Sequence, residues 1–218
     1  MSSSDTSGER AAEYDRQYRT WLERHLAKGS HMHDLAWRLE HLLWRHKALL
    51  RRVDVRGRRV LDHGCMDGVF SIALQRAGGH VTGFDVAPAA IAQAMAFRGD
   101  AAEPVFTLVP PEKGAFDVVF SNEVIEHMTD DQAFAGELAS YLKVGGRLIG
   151  TTPVGRSFWD PDHKRLYDEP MLRRALAPWG RVTISRRYRS PLRNLLPFAQ
   201  QGAAVFIFEV EKLGPSRG

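Results

Sequence analysis

Hydrophobic residues recur at helical spacing through the first fifty residues of the chain. An aromatic and leucine stripe within residues 9–28 predicts a helix, and a leucine repeat within residues 33–52 predicts a second one. The first stripe consists of Tyr14, Tyr18, Trp21, Leu22 and Leu26. Asp34 is placed to cap the second helix, while the small polar residues 1–8 predict a disordered tail.

After residue 58 the pattern changes to short apolar runs that alternate with helical stretches. The predicted strands are 59–62, 80–86, 105–109, 116–121, 147–151, 181–188 and 203–212, and the predicted helices are 69–77, 89–97, 130–142 and 169–177. This alternation is typical of βαβ units and indicates an α/β domain with a doubly wound, mostly parallel sheet. The last two strands have no clear helix between them, which predicts an antiparallel edge.

These patterns predict one domain with added segments. Residues 9–54 form N-terminal helices on the substrate side, residues 55–218 form the main domain, and residues 155–202 or so form a substrate-side insertion. The apolar stretch at 190–204 predicts either a cap over the pocket or a homodimer contact.

Composition limits the possible classes of protein but does not identify a function. The chain has 218 residues, 44% of them hydrophobic, which is enough for a full-sized core. The net charge of +4 is too mild to demand a nucleic-acid partner. A single cysteine, Cys65, excludes an internal disulfide and favours a reducing, cytoplasmic location. No run approaches the ~20 apolar residues of a membrane span.

Residues 61–68, LDHGCMDG, have the outline of a nucleotide-binding turn. Asp62 is followed by Gly64 and Gly68, with a predicted strand before the turn and a predicted helix after it. Asp85 ends the next predicted strand, where a carboxylate can accept both hydroxyls of a ribose.

Dinucleotides and S-adenosylmethionine both bind to turns of this plan. Dinucleotide sites depend on three glycines, because the pyrophosphate must approach the backbone closely. The turn has only two, and Asp62 would place a negative charge near a phosphate. A carboxylate is better matched to the cationic sulfonium and amino acid end of S-adenosylmethionine, so charge complementarity favours the methyl donor.

Four motifs in order resemble those of class I S-adenosylmethionine-dependent methyltransferases. They are 60–68, 83–85, 116–122 and 142–148, and the resemblance covers roughly residues 55 to 155. It implies a Rossmann-like methyltransferase fold, with a seven-stranded, mostly parallel sheet, an antiparallel edge strand and N-terminal helices. The cofactor-binding residues that it implies are Asp62, His63, Gly64, Cys65, Met66, Gly68, Asp85, Val86 and Asn122.

The chain departs from the family pattern at two places. Met66 replaces the usual central glycine of the turn, so its side chain must point away from the cofactor or the loop must shift. Binding is expected to survive because Gly64 and Gly68 remain. The family often has an acid after the third strand to recognise the adenine amine, whereas residues 109–111 are Val-Pro-Pro, so no residue is assigned to adenine.

The stretch Glu123–His127, EVIEH, follows the fourth predicted strand, at the end of the sheet where ligands bind. If it is helical, Glu123, Glu126 and His127 share one face. Three interpretations remain open. The side chains are polar groups of the pocket wall, or His127 is a catalytic general base with Glu126 beside it, or the group holds a divalent metal.

Glu-x-x-Glu-His resembles the metal-ligand motif of two methyltransferase groups. One is the ubiquinone-biosynthesis O-methyltransferases, which use magnesium, and the other methylates the 2′-hydroxyl at RNA 3′ ends. In the second group another histidine, from the loop after the fifth strand, completes the site. The resemblance implies Mg²⁺ or another divalent ion, with the ligand set Glu123, Glu126, His127 and His163. The alternative for His163 is a surface histidine. Trp159 and Tyr167 in that loop either stack on a substrate ring or anchor the loop.

The short chain has no separate RNA-binding module, which favours a small-molecule substrate methylated on a hydroxyl or an amine. RNA 2′-O-methylation is the alternative, with phosphates bound by the arginines near 51–59 and 186–189. A third hypothesis is a non-catalytic module that binds S-adenosylmethionine.

Overall fold

The computed structural model describes residues 5–27, 31–158, 160–189 and 203–214. Its helices are α1 (Asp5–Leu26), α2 (Leu35–Glu40), α3 (Trp44–Leu50), α4 (Val69–Arg76), α5 (Pro88–Arg98), α6 (Asp131–Tyr141) and α7 (Glu169–Leu176). Its strands are β1 (Arg59–His63), β2 (His80–Phe84), β3 (Val105–Thr107), β4 (Phe116–Asn122), β5 (Leu142–Pro153), β6 (Arg181–Tyr188) and β7 (Ala204–Glu211). The chain divides into two compact units, residues 1–43 with 55–111 and residues 44–54 with 112–218.

The first unit is built on three parallel strands in the order β3-β2-β1. Along β1 the register runs from Arg59 opposite His80 to His63 opposite Phe84. After the exposed Arg59, the residues of β1 are buried, as expected for a parallel strand that is covered on both faces.

The second unit contains four strands in the order β4-β5-β7-β6. The β4–β5 pair is parallel, whereas β7 runs antiparallel to both β5 and β6. Val118, Leu148 and Phe208 are completely buried at the centre of this unit. Within the described residues the strands belong to one seven-stranded sheet, so the predicted fold class and its antiparallel edge are confirmed.

Helix caps follow the sequence closely. The carboxylate of Asp34 accepts a hydrogen bond from the backbone N–H of Trp37 at 2.9 Å, which confirms the predicted cap of α2. Asp130 and Asp168 cap α6 and α7 in the same way, and Pro88 begins α5.

The N-terminal predictions need two corrections. The tail predicted at 1–8 is wrong from residue 5 onward, because α1 already begins at Asp5. The continuous helix predicted at 33–52 is also wrong, because α2 ends at Glu40 and α3 begins at Trp44. Both the backbone N–H and the ring Nδ1 of His41 lie at hydrogen-bond distance from the carbonyl oxygen of Trp37, and the two rings stack at 4.1 Å.

Strand β5 begins five residues earlier than predicted, at Leu142 rather than at 147. The register between β4 and β5 shifts between Phe116 and Val118, and Gly145 takes up the extra length with a φ of 76°. Gly145 and Gly146 therefore form an irregularity within β5.

Two predicted features lie outside the described residues, namely Trp159 and most of the apolar stretch at 190–204. Of that stretch, Ala203 and Ala204 are described, and Ala204 opens β7. Among the helices that are described, none combines the length and the apolar character that a membrane crossing requires.

Candidate cofactor and metal sites

The turn at 61–68 connects β1 to α4 in the first unit. The backbone N–H groups of Gly64 and Cys65 both donate to the carbonyl of Phe84, at 2.8 and 3.0 Å. These bonds fasten the turn to the end of β2. Gly64 has a φ of 75°, a left-handed conformation that favours glycine.

Gly68 is required by packing within the protein. It has a φ of 76°, and a Cβ atom there would lie 2.5 Å from the ring of Phe106 and 2.8 Å from the Cβ of Ala94. The reason is that α4 begins directly against β3 and α5.

Asp85 is fixed in orientation by the backbone around it. Its Oδ2 accepts from the N–H of Met66 at 2.8 Å, and its Oδ1 accepts from the N–H of Ala87 at 3.0 Å. Burial raises the pKa of this carboxyl, and the backbone hydrogen bonds oppose the rise. Each oxygen retains a second lone pair, so a diol can still be accepted.

Met66, which replaces the family's central glycine, adopts a left-handed conformation with a φ of 53°. Its side chain packs into a cluster formed by Tyr18 of α1 with Ala87 and Ala90 at the start of α5. The methionine therefore has an apolar environment of its own within the first unit.

Two contacts attach the N-terminal helices to the turn and its neighbour α5. Oδ1 of Asp15 accepts from the N–H of Ala89 at 2.6 Å, which caps α5 from another helix. Arg38 forms an ion pair with the buried carboxylate of Asp67 at 2.5 Å. Neither contact could be predicted from a local pattern, because the partners lie 74 and 29 residues apart.

Asp62 is buried at the end of β1 and accepts a hydrogen bond from the hydroxyl of Ser71 at 2.6 Å. Burial raises its pKa to about 7; Asp85 adds to the rise and the Ser71 hydrogen bond opposes it. The carboxyl is therefore poised to release a proton when a positive charge arrives.

The remaining predicted cofactor residues have different environments. Burial lowers the pKa of His63 to about 4, so its ring, which packs edge-on against Phe84, is neutral. Cys65 is buried, and Val86 is 37% exposed. Asn122 ends β4 in the second unit, where its Oδ1 is buried without a hydrogen bond to the described residues.

The donors and acceptors of the first unit fit S-adenosylmethionine. Asp85 offers fixed carboxylate oxygens for a diol, and Asp62 offers a carboxyl for a cationic group. Tyr18 adds a buried hydroxyl that has no hydrogen-bond partner among the described residues.

The EVIEH stretch in the second unit is not an α-helix. Glu123 has a φ of 55°, and only Ile125–His127 form a short 3-10 turn. The shared helical face considered for Glu123, Glu126 and His127 is therefore absent. Glu123 instead lies 3.6 Å from Arg45, and its backbone N–H donates to the carbonyl of Thr151.

Three of the four predicted metal ligands come together. Ligand atoms of Glu126, His127 and His163 all lie within 4.8 Å of one another. The structure does not bring Glu123 into this group, because its carboxylate faces Arg45. Within the described residues the cluster therefore offers one carboxylate and two imidazoles.

Glu126 is the buried member of this cluster, at 1% exposure. One carboxylate oxygen accepts from the hydroxyl of Thr152 at 3.1 Å, while Oε1 has no hydrogen bond among the described residues. Burial raises its pKa, and the nearby Glu123 adds to that rise. A buried carboxylate of this kind is stabilised by a proton or by a cation.

Both imidazoles are oriented by the loop around 160–165. Nδ1 of His127 lies 3.3 Å from the carbonyl of Asp162, so in the tautomer that donates there Nε2 keeps its lone pair. Burial lowers the pKa of His127, and the neighbouring His163 ring, 4.9 Å away, adds to the effect. Nδ1 of His163 is buried without a hydrogen bond in the described part of the chain.

The loop is fastened to the 3-10 turn by its backbone. The N–H groups of Lys164 and Arg165 both donate to the carbonyl of Glu126, at 2.8 and 3.2 Å, and the Arg165 guanidinium donates to the carbonyl of Met128 at 2.7 Å. Tyr167 is buried and donates to Asp131 at 3.0 Å. Tyr167 is therefore an anchor of the loop.

A model of a methyltransferase domain family matches residues 14–195, which is most of the chain. The chain belongs to this methyltransferase family. The matched span includes the cofactor turn, Asp85 and the Glu126–His127–His163 cluster. The class I S-adenosylmethionine-dependent resemblance is thereby confirmed.

Curated relatives of this methyltransferase include ubiquinone biosynthesis O-methyltransferases. The one from Xylella fastidiosa strain 9a5c is 36% identical over 109 residues, which is 47% of this chain and 44% of that protein. One from Xanthomonas euvesicatoria is 34% identical over 108 residues, 46% of this chain and 45% of that protein. The match therefore spans less than half the length of these relatives.

Solved methyltransferase structures share the fold. A Haloferax volcanii methyltransferase in complex with the Trm112 activator gives a TM-score of 0.69 at 18% identity, over 93% of this chain and 99% of that chain. Phosphoethanolamine N-methyltransferase 2 from Haemonchus contortus, in complex with S-adenosyl-L-methionine, gives 0.61 at 17% identity, over 78% of this chain and 53% of that chain.

Proposed function

We propose that this protein transfers a methyl group from S-adenosylmethionine to a hydroxyl or amine of a small metabolite. The observation that carries the proposal is the pair of buried carboxyls at the turn: Asp85 is fixed by two backbone N–H groups, and Asp62 has a pKa near neutrality. The methyltransferase family model and the O-methyltransferase relatives support the same reaction class.

S-adenosylmethionine, when bound, supplies a methyl group already activated by a sulfonium. The chain's contribution is then to orient the reactants and to exclude water. Asp85 would hold the ribose end, and Asp62 would be fully ionised against the cationic end. No strong nucleophile is required from the protein, and none is assigned.

The Glu126–His127–His163 cluster is proposed as a divalent metal site that serves the substrate hydroxyl. These three side chains would hold the ion, which when bound lowers the pKa of a coordinated hydroxyl. Two imidazoles with one carboxylate suit manganese, iron or zinc better than magnesium, which prefers oxygen ligands. The resemblance implied Mg²⁺ or another divalent ion, and the ligand set favours one of the other divalent ions.

Without a metal, His127 remains the candidate general base. Its lowered pKa keeps the ring neutral at pH 7, and a neutral ring can accept a proton from the substrate. Chelation separates the two roles. A general base keeps its activity in chelator, whereas a metal site loses activity and regains it when the ion is restored.

Two of the arginines considered for RNA binding, Arg52 and Arg186, have partners inside the second unit. Arg52 pairs with Glu209 at 2.9 Å and donates to the hydroxyl of Ser185 at 2.8 Å. The Arg186 guanidinium lies over the ring of Phe206 at 5.5 Å. These contacts favour a small-molecule substrate. The cytoplasmic location and the homodimer remain predictions.

Calorimetry with S-adenosylmethionine and S-adenosylhomocysteine tests the proposed cofactor. Binding of both is expected, with Asp85→Asn weakening both because an amide offers one acceptor oxygen in place of two. Binding by the wild type without turnover of any hydroxylated or amine substrate would favour the non-catalytic module. Failure of the folded wild type to bind either ligand would overturn the proposed function.

A further inference from the structure

Tyr18 lies on α1, which is part of the first unit. Its ring contributes to the cluster with Ala87 and Ala90, against which Met66 of the cofactor turn also packs. Only 6% of the residue is exposed. Asp15 of α1 accepts a hydrogen bond from the N–H of Ala89 at 2.6 Å, and this bond fastens α1 to the start of α5.

The hydroxyl of Tyr18 is enclosed and accepts or donates no hydrogen bond among the described residues. Buried tyrosine hydroxyls usually find a partner, because leaving one unpaired costs free energy. Apolar packing alone would be served equally well by phenylalanine. The hydroxyl therefore indicates a partner that is not a protein side chain of this unit.

The surroundings specify what kind of partner fits. Burial raises the pKa of Tyr18, and the carboxylates of Asp67 and Asp85 add to the rise, so the hydroxyl keeps its proton. A protonated phenol in such a place acts as a donor. It needs an acceptor oxygen, brought by a molecule that binds at the turn.

We propose that Tyr18 is a cofactor-binding residue whose hydroxyl donates a hydrogen bond to an oxygen of the bound nucleoside, either a ribose hydroxyl or the carboxylate of the amino acid end. This assignment rests on the proposed function. It also gives α1 a role in cofactor binding, since the helix supplies both the cover over Met66 and one ligand contact.

The test is Tyr18→Phe, which removes the hydroxyl and keeps the ring. The expected result is S-adenosylhomocysteine binding about three- to tenfold weaker for a neutral acceptor, and about tenfold or more for a carboxylate. Thermal unfolding without ligand should be unchanged or shifted upward, because the deleted group has no partner in the protein. The ligand-induced rise in Tm should shrink.

Methylthioadenosine identifies the acceptor, since it has the ribose but lacks the amino acid end. Weaker binding of both ligands by the variant assigns the bond to the ribose, and weaker binding of S-adenosylhomocysteine alone assigns it to the carboxylate. Tyr14→Phe, one turn earlier on α1, is the matched control, and it should leave both affinities unchanged.

Two outcomes would overturn the assignment. One is equal S-adenosylhomocysteine affinity for wild type and Tyr18→Phe. The other is a fall in the ligand-free Tm of the variant that accounts for its weaker binding, which would give the hydroxyl a structural role. Neither outcome affects the proposed function, which fails only if the wild type itself does not bind the nucleoside.

Discussion

The protonation of Asp62 should make binding of S-adenosylmethionine depend on pH near neutrality. Burial places the pKa of this carboxyl at about 7, compared with its ordinary value of 3.8. A cationic ligand interacts with the ionised form, so binding must release a proton from the fraction that is still protonated. Affinity should therefore rise with pH through this pKa.

The expected magnitude follows from the ionised fraction. With a pKa of about 7, roughly one Asp62 in eleven is ionised at pH 6 and about ten in eleven at pH 8. If only the ionised form binds, the Kd should fall about tenfold between pH 6 and pH 8. Close to one proton should be released per ligand bound at pH 6.

Ligand-free stability should show the opposite trend. Because the folded pKa of Asp62 is raised, its contribution to stability is fully present below its unfolded pKa of 3.8 and is lost as pH rises through about 7. Asp62→Asn should remove this loss, and saturating S-adenosylmethionine should offset it in the wild type.

Calorimetry in buffers of different ionisation enthalpy measures both the Kd and the proton release. Asp62→Asn should bind with little pH dependence, and titration of the ligand itself is common to both proteins. Ser71→Ala should move the wild-type profile to higher pH, because the hydroxyl of Ser71 opposes the rise in pKa. An unchanged slope in Asp62→Asn, or no proton release by the wild type at pH 6, would refute the reasoning.

Three further substitutions test the first unit, with urea unfolding as the measurement. Arg38→Ala leaves the Asp67 carboxylate buried and unpaired, so stability should fall by about 3 kcal/mol; a loss below about 1 kcal/mol would mean that water solvates it. Gly68→Ala should lower stability by about 2 kcal/mol or more, and Phe106→Leu should restore part of it, because the added Cβ meets that ring at 2.5 Å; additive effects of the two changes would contradict this. Met66→Gly should change stability by less than about 1 kcal/mol, because relief of the left-handed backbone offsets lost packing, and a loss above about 2 kcal/mol would show that packing dominates.

The main strands and helices were predictable because each follows a local pattern. Parallel strands appear as short apolar runs, and capping residues such as Asp34 act within three or four residues. The break between α2 and α3 was missed because the leucine repeat continues across it. At the break the ring and the N–H of His41 both meet the carbonyl of Trp37, and a leucine pattern carries no information on that contact.

The candidate sites also contain residues whose positions follow from a local pattern and residues whose positions depend on the surrounding structure. Asp62, Gly64 and Asp85 stand at spacings set by the strand and helix between them, so the sequence predicts their proximity. Glu123 was grouped with Glu126 on the assumption of a regular helix, but its positive φ turns it toward Arg45. A conformation of this kind is determined by the surrounding structure.

Met66 shows how a departure from a motif carries information about distant residues. A left-handed methionine costs about 1–2 kcal/mol relative to glycine, so its side chain must recover a comparable amount by packing. The cluster with Tyr18 supplies that packing, and Tyr18 lies 48 positions earlier in the chain. A large apolar residue at this turn therefore implies that another element covers the loop. In this protein the covering helix is α1, and the same helix carries Tyr18, whose buried hydroxyl has no hydrogen-bond partner among the described residues.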